Sequence, residues 1–216
     1  MNDGPGSRPL DGKERHDGPQ RGHLGLIGVL ISSVVLLEFA GADIRLLLRY
    51  ERSGVLNGEW WRLLTGHLMH GNLHHLALNV VGTGLVALLF GRDYPARQWL
   101  FILFCSASAI DIAFVFCEPQ VQWYVGLSGV LHGAIAAGIV AWWRYENRYL
   151  TIVAGILLLL KLGWEQGRGA LPLSGDMPVI VDAHLYGAAG GVMAVALLAA
   201  FRSIQRRHWS RGATSL

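Results

Sequence analysis

Residues 126–133 read GLSGVLHG, and residues 183–191 read AHLYGAAGG. Around the first stretch, Gly129, Gly133 and Ala137 recur at every fourth position; in the second, Ala183, Gly187 and Gly191 do the same. A spacing of four puts these residues on one face of an α-helix, and a face without side chains lets two helix backbones come very close. Each smooth face also carries a reactive group near its start, Ser128 in the first stretch and His184 in the second.

Working outward, both stretches lie in apolar blocks of roughly 16 to 20 residues, about the length a helix needs to cross a bilayer. Six blocks fall at about 24–40, 73–90, 99–116, 128–143, 149–163 and 179–201. The chain of 216 residues is 52% hydrophobic and 15% charged, which indicates one membrane domain and argues against a soluble fold. Lipid offers the backbone no hydrogen-bonding partner, and no period-two alternation marks a membrane barrel, so the expected class is an all-α membrane protein with a six-helix bundle. Residues 1–23, rich in Gly, Pro, Asp and Arg, are expected to form a disordered cytoplasmic tail, 24–201 the membrane domain, and 202–216 a basic cytoplasmic tail.

The sequence pI near 9.1 does not point to nucleic acid, because the basic residues sit between the apolar blocks and not along one face. With the N-terminus inside, twelve basic residues fall on the cytoplasmic side against five outside, which predicts N-in and C-in topology. Cys105 and Cys117 lie in one block, about 18 Å apart on a helix, too far to pair.

Ionisable and polar side chains in spanning helices are costly and mark candidate sites. His75 and Asn79 share a face of the second block, Ser128 and His132 share a face of the fourth, and His184 stands on the sixth. Serine becomes a nucleophile only with a base within about 3 Å, and the glycine faces allow that approach between Ser128 and His184. His75, Asn79 and the Ser128 backbone N–H are candidate donors to an oxyanion. Gly126 and Gly129 flank Leu127 and Ser128 and leave backbone amides free to face a substrate carbonyl. His132 is either a second base or a supporting hydrogen-bond donor.

The stretches WRLLTGHLMHGNLHHLALN (61–79), GLSGVLHG (126–133) and AHLYGAAGG (183–191) resemble the rhomboid intramembrane proteases. The resemblance runs from about residue 61 to 194. It implies a six-helix bacterial inner-membrane protease with Ser128 and His184 as a catalytic dyad lacking a third, acidic member, and with His75 and Asn79 at the oxyanion site. It implies a structural role for Trp61 and Arg62. Most rhomboids carry an apolar residue where His132 stands, and GLSGVLHG in a compact chain resembles the rhombosortase branch. That branch implies substrates anchored by a C-terminal glycine-rich motif, a transmembrane helix and a basic end.

His67, His70 and His74 are expected to stabilise the first loop and the helix entry, Asp111 to make a buried hydrogen bond or carry a protonated carboxyl, and Lys161 and Glu165, one turn apart, to pair or to snorkel. Neither a cofactor nor a metal is expected. The rival readings are a general rhomboid protease, a catalytically inactive client-binding relative, a haem or metal protein using His70 and His74, and a small transporter. The absence of HExxH counts against a familiar metalloprotease.

Overall fold

The computed structural model describes residues 22–144, 146–172 and 179–213, with side chains described to 206. Of the tails expected at 1–23 and 202–216, residues 1–21 and 214–216 lie outside the described residues. In chain order the elements are α1 (Gly22–Glu38), α2 (Ala42–Leu48), β1 (Tyr50–Glu51), α3 (Arg52–Leu56), α4 (Trp61–Thr65), α5 (Leu73–Phe90), α6 (Ala96–Phe116), β2 (Trp123–Tyr124), α7 (Ser128–Trp142), α8 (Arg148–Arg168) and α9 (Asp182–Ala213). α5, α6, α8 and α9 are long and apolar enough to cross a membrane, and α1 and α7 are shorter apolar helices. Four of the six apolar blocks thus form helices of spanning length, and the blocks at about 24–40 and 128–143 form the shorter α1 and α7.

The distribution of side chains is inverted relative to a water-soluble protein. Leu88, Phe104, Phe116, Leu159 and Leu160 point outward, whereas Thr83, Ser106, His132, Glu165 and His184 are buried. With lipid as the solvent, exposing leucine costs nothing and polar groups gain by turning inward.

α7 is the central helix, with ten of its fifteen residues buried. Its contact with α9 is an interlocking of backbones. A Cβ added to Gly129 would lie 2.8 Å from the Ala183 carbonyl oxygen, and one added to Gly133 would lie 2.5 Å from that of Gly187. In return, a Cβ at Gly187 or Gly191 would collide with the carbonyl of Gly129 or Gly133. The two smooth faces read in the sequence therefore mesh residue by residue. On the next face, Gly190 approaches Cys105 and Ser106 of α6, where an added Cβ would meet the Cys105 carbonyl oxygen at 2.7 Å. Ser106 Oγ donates to Ile102 O at 2.8 Å, so its hydroxyl is satisfied within its own helix.

Two helix ends and one strand pairing differ from what the sequence predicts. α8 runs to Arg168 instead of ending near 163: no proline interrupts Trp164–Arg168, Gly167 is carried within the helix, and Gly169 turns the chain at φ 81°. α9 continues past 201 to Ala213, since Arg202 and Gln205 are good helix formers once the helix has left the apolar block. The expectation of a purely helical chain misses an antiparallel ladder that pairs Tyr50 with Tyr124 and Glu51 with Trp123. Two residues per strand leave no periodic signal to read.

The first loop is a built structure. Arg62 donates to Glu59, to Leu46 O at 2.8 Å and to Arg49 O at 2.9 Å, and Trp61 Nε1 donates to Leu47 O at 3.3 Å. Arg52 caps the end of α6 through Phe114 O at 2.6 Å and Val115 O at 3.0 Å, which satisfies carbonyls that a helix end leaves open. Asp111 meets His67 at 3.2 Å, the buried hydrogen bond expected of it. Trp61 and Arg62 thus have the structural role anticipated.

The α7–α9 contact makes a stability prediction. Gly187→Val forces a branched side chain into the Gly129 carbonyl and is expected to destabilise the fold by at least about 1–3 kcal/mol. Gly163→Ala, where an added Cβ meets nothing within 4 Å, is expected to leave stability unchanged or slightly raised. Thermal unfolding in detergent, followed by aggregation onset, checks both.

Candidate active site

Three helix N-termini converge on one end of the bundle. Ser128 is the first residue of α7, His75 the third of α5 and His184 the third of α9. The opening N–H groups of a helix have no intrahelical acceptor and carry the positive end of its dipole, so this convergence favours negative charge among the three.

The glycine mesh brings the two candidate residues together: His184 Nε2 lies 2.9 Å from Ser128 Oγ. His132, one turn after Ser128, donates its Nδ1 hydrogen to the Ser128 carbonyl oxygen at 2.7 Å. Its ring lies nearly parallel to that of His184, with centroids 4.1 Å apart and planes 17° apart. His132 therefore faces the backbone of Ser128 and the plane of His184, which fits a supporting group better than a second base.

His75 and Asn79 line the same cavity as Ser128 and His184. Asn79 is buried, and its Nδ2 donates to His75 O at 2.9 Å while Thr83 donates to Asn79 O at 2.7 Å. One Asn79 N–H is thereby engaged, and the amide's remaining hydrogen is available to a ligand. Asn72 begins α5 by accepting from the His75 N–H at 2.8 Å, which fixes where the first turn places His75.

Gly126 sits against the His75 ring with φ 132°, a backbone conformation that suits glycine; an added Cβ would lie 2.7 Å from His75 Cε1. Its N–H donates to Gly66 O at 3.1 Å and its carbonyl accepts from the Tyr124 hydroxyl at 2.6 Å. The first loop and the β2 segment thus hold the strand that delivers Ser128. Burial pushes the Tyr124 phenol up, which keeps it a neutral donor.

Glu165 has a partner beyond the one its sequence spacing predicts. It forms the expected pair with Lys161, Nζ to Oε1 at 2.6 Å, but its other oxygen lies 2.9 Å from His184 Nδ1. An acidic group therefore does stand behind the Ser128–His184 pair, unlike the two-residue arrangement the resemblance implied. A pairing across α8 and α9 leaves no trace in local spacing; the only hint was a carboxylate in an apolar helix.

The cavity holding Ser128, His132 and His184 has a volume of about 570 Å³ and lies between α5, α7 and α8. Away from these polar groups it is walled by apolar side chains such as Leu85, Leu89, Ile135, Leu157 and Leu158. That lining suits an apolar segment more than a small polar solute. His132, Glu165 and His184 are also close enough to share a cation, with ligand atoms all within 4.8 Å of one another. His70, with His74 the basis of the haem or metal alternative, instead stands edge-on to His75 with ring centroids 5.1 Å apart.

A multi-pass helical membrane protein with serine, histidine and amide groups gathered at the mouth of an apolar cavity defines the class. The chain belongs to the rhomboid family: the Rhomboid domain matches residues 57–201. It is 26% identical over 151 residues to rhomboid protease GluP of Bacillus subtilis (strain 168), covering 68% of this chain and 28% of that protein. It is 25% identical over 146 residues to RHOMBOID-like protein 4 of Arabidopsis thaliana, covering 65% of this chain and 34% of that protein. The chain thus spans about a third or less of the length of these two relatives.

The loop histidine behind the site makes a pH prediction. Desolvation, reinforced by the neighbouring His75, holds His70 down to about 4, so it is neutral near pH 7. A histidine whose folded value lies below its unfolded one contributes stability above about pH 6.5 that is lost as pH falls from there towards 4. The melting temperature in detergent is expected to drop across that window, and to drop less in His70→Gln.

Proposed function

We propose that this rhomboid is an intramembrane serine endopeptidase in which Ser128 is the nucleophile and His184 its base. The observation that carries the reading is the 2.9 Å contact between Ser128 Oγ and His184 Nε2 at the mouth of an apolar cavity. Ser128 Oγ attacks the scissile carbonyl carbon as His184 Nε2 takes the hydroxyl proton. The oxyanion is met by the Ser128 N–H, the Asn79 amide and the His75 ring. His184 then gives its proton to the leaving amine, and water attacks the resulting ester by the same path in reverse.

The proposed topology is six spans with both termini cytoplasmic, in the inner membrane of a bacterium. α7 has fifteen residues, about 22 Å of helix, against a hydrocarbon layer of about 30 Å. If Trp142 and Trp143 anchor its far end, Ser128 lies below the outer surface, where water can enter but lipid is close. Arg148 over the Trp143 ring at 5.9 Å supports an interfacial position for that end.

The proposed substrates are membrane-anchored proteins whose transmembrane helix loosens near the outer surface and enters between α5 and α8. Within the family we favour the rhombosortase branch, which processes C-terminal tails made of a glycine-rich motif, a spanning helix and a basic end. The His132 side chain beneath His184 supports that narrower reading, since the branch resemblance rests on GLSGVLHG.

A fluorophosphonate probe is expected to label the purified protein and to lose labelling in Ser128→Ala and in His184→Ala; undiminished labelling of both variants overturns the assignment. Asn79→Ala is expected to lower kcat for a transmembrane substrate by about 100-fold or more, with the folded protein retained. A substrate whose tail has lost its glycine-rich segment is expected to be cleaved more slowly than the intact one. Equal rates would favour a general rhomboid protease.

A further inference from the structure

We infer that Glu165, itself held by Lys161, is a positioning residue that fixes the His184 ring and selects its reactive tautomer. The inference rests on the Ser128–His184 reading and goes beyond it. His184 Nδ1 is 2.9 Å from Glu165 Oε2, and His184 Nε2 is 2.9 Å from Ser128 Oγ, so the imidazole spans the carboxylate and the hydroxyl. A carboxylate only accepts hydrogen bonds, so the Nδ1 facing it must carry the hydrogen. In the neutral ring Nε2 then holds the lone pair, directed at the serine proton, as general-base chemistry requires.

The carboxylate is itself immobilised. Its other oxygen accepts from Lys161 Nζ at 2.6 Å, and the residue is 3% exposed. The ring is held in a second direction by His132, stacked at 4.1 Å and tied to the Ser128 carbonyl. The His184 plane is thus set by stacking and its rotation within that plane by Glu165. Near its C-terminal end α8 runs antiparallel to α7 and α9, which brings residue 165 to the depth of two residues that open their own helices.

The same cluster invites a cation on His132, Glu165 and His184. The Lys161 ammonium argues against it, because a positive charge already sits on the carboxylate. His184 would also have to give up its contact with Ser128 or with Glu165 to bind a metal.

The decisive variant is Glu165→Gln. Its amide has a single acceptor for two donors, Lys161 and His184; if its NH2 turns to Nδ1, the ring hydrogen is driven to Nε2 and the base is lost. Expected is a fall in kcat of about 100-fold to 10,000-fold with KM nearly unchanged, the pattern of a group acting in the transition state. Glu165→Asp, which keeps the charge on a shorter stem, is expected to recover part of that loss. Wild-type kcat in Glu165→Gln, or equal losses in Gln and Asp, overturns the inference.

A second measurement needs no change at residue 165. In protein labelled with 15N-histidine, the resonances that vanish in His184→Ala are expected to report a hydrogen on Nδ1 and none on Nε2 at neutral pH. A hydrogen on Nε2 overturns the inference even if Glu165→Gln fails to fold. Activity that a chelator abolishes and Zn2+ restores also overturns it, in favour of the cation. Probe labelling that persists in Ser128→Ala sinks the underlying protease reading instead, so the two failures are distinguishable.

Discussion

The structure depends on one close approach, in which the backbones of α7 and α9 mesh through Ala183, Gly129, Gly187, Gly133 and Gly191 in alternation. In a bilayer no hydrophobic force drives helices together, so packing of small residues must supply much of the attraction. The same approach sets the depth and spacing of the site. A side chain at any of these glycines would separate the helices by more than the 2.9 Å Ser128–His184 contact can absorb.

Around that axis the parallel direction of α5, α7 and α9 gathers three positive helix ends, while α8 arrives antiparallel with a carboxylate. In the proposed reaction, negative charge developing near Ser128 would be met by dipoles already in place, and positive charge developing on His184 by Glu165. The α5 residues belong to the first of these arrangements and Glu165 to the second. Orientation of whole helices, fixed by their alternation along the chain, sorts the groups by sign.

The first loop serves the same centre from outside the bundle. Arg52 caps α6, Arg62 ties the loop's own carbonyls together, and the Tyr50–Tyr124 pairing joins the loop to the segment leading into α7. His67 and Asp111 cross-link it to α6. Gly126, bonded to Gly66 and Tyr124, is the last fixed point before Ser128, so the loop determines where the serine helix begins.

Much of this was legible in the residues alone, because the signals are periodic or positional along one chain. Apolar blocks marked the helices, small residues four apart marked the meshing faces, and polar groups at costly depths marked Ser128, His132, His184, His75 and Asn79. The illegible parts join separate elements: the two-residue ladder, and above all Glu165 against His184. From the sequence Glu165 is one half of an i, i+4 pair with Lys161, and that reading is correct but incomplete. A helix periodicity records which residues share a face, but not which face of α8 meets α9, or at what height. The sequence by itself determined the helices and the polar groups each carries; only the packing of antiparallel helices, at backbone-to-backbone distance, decided which groups touch.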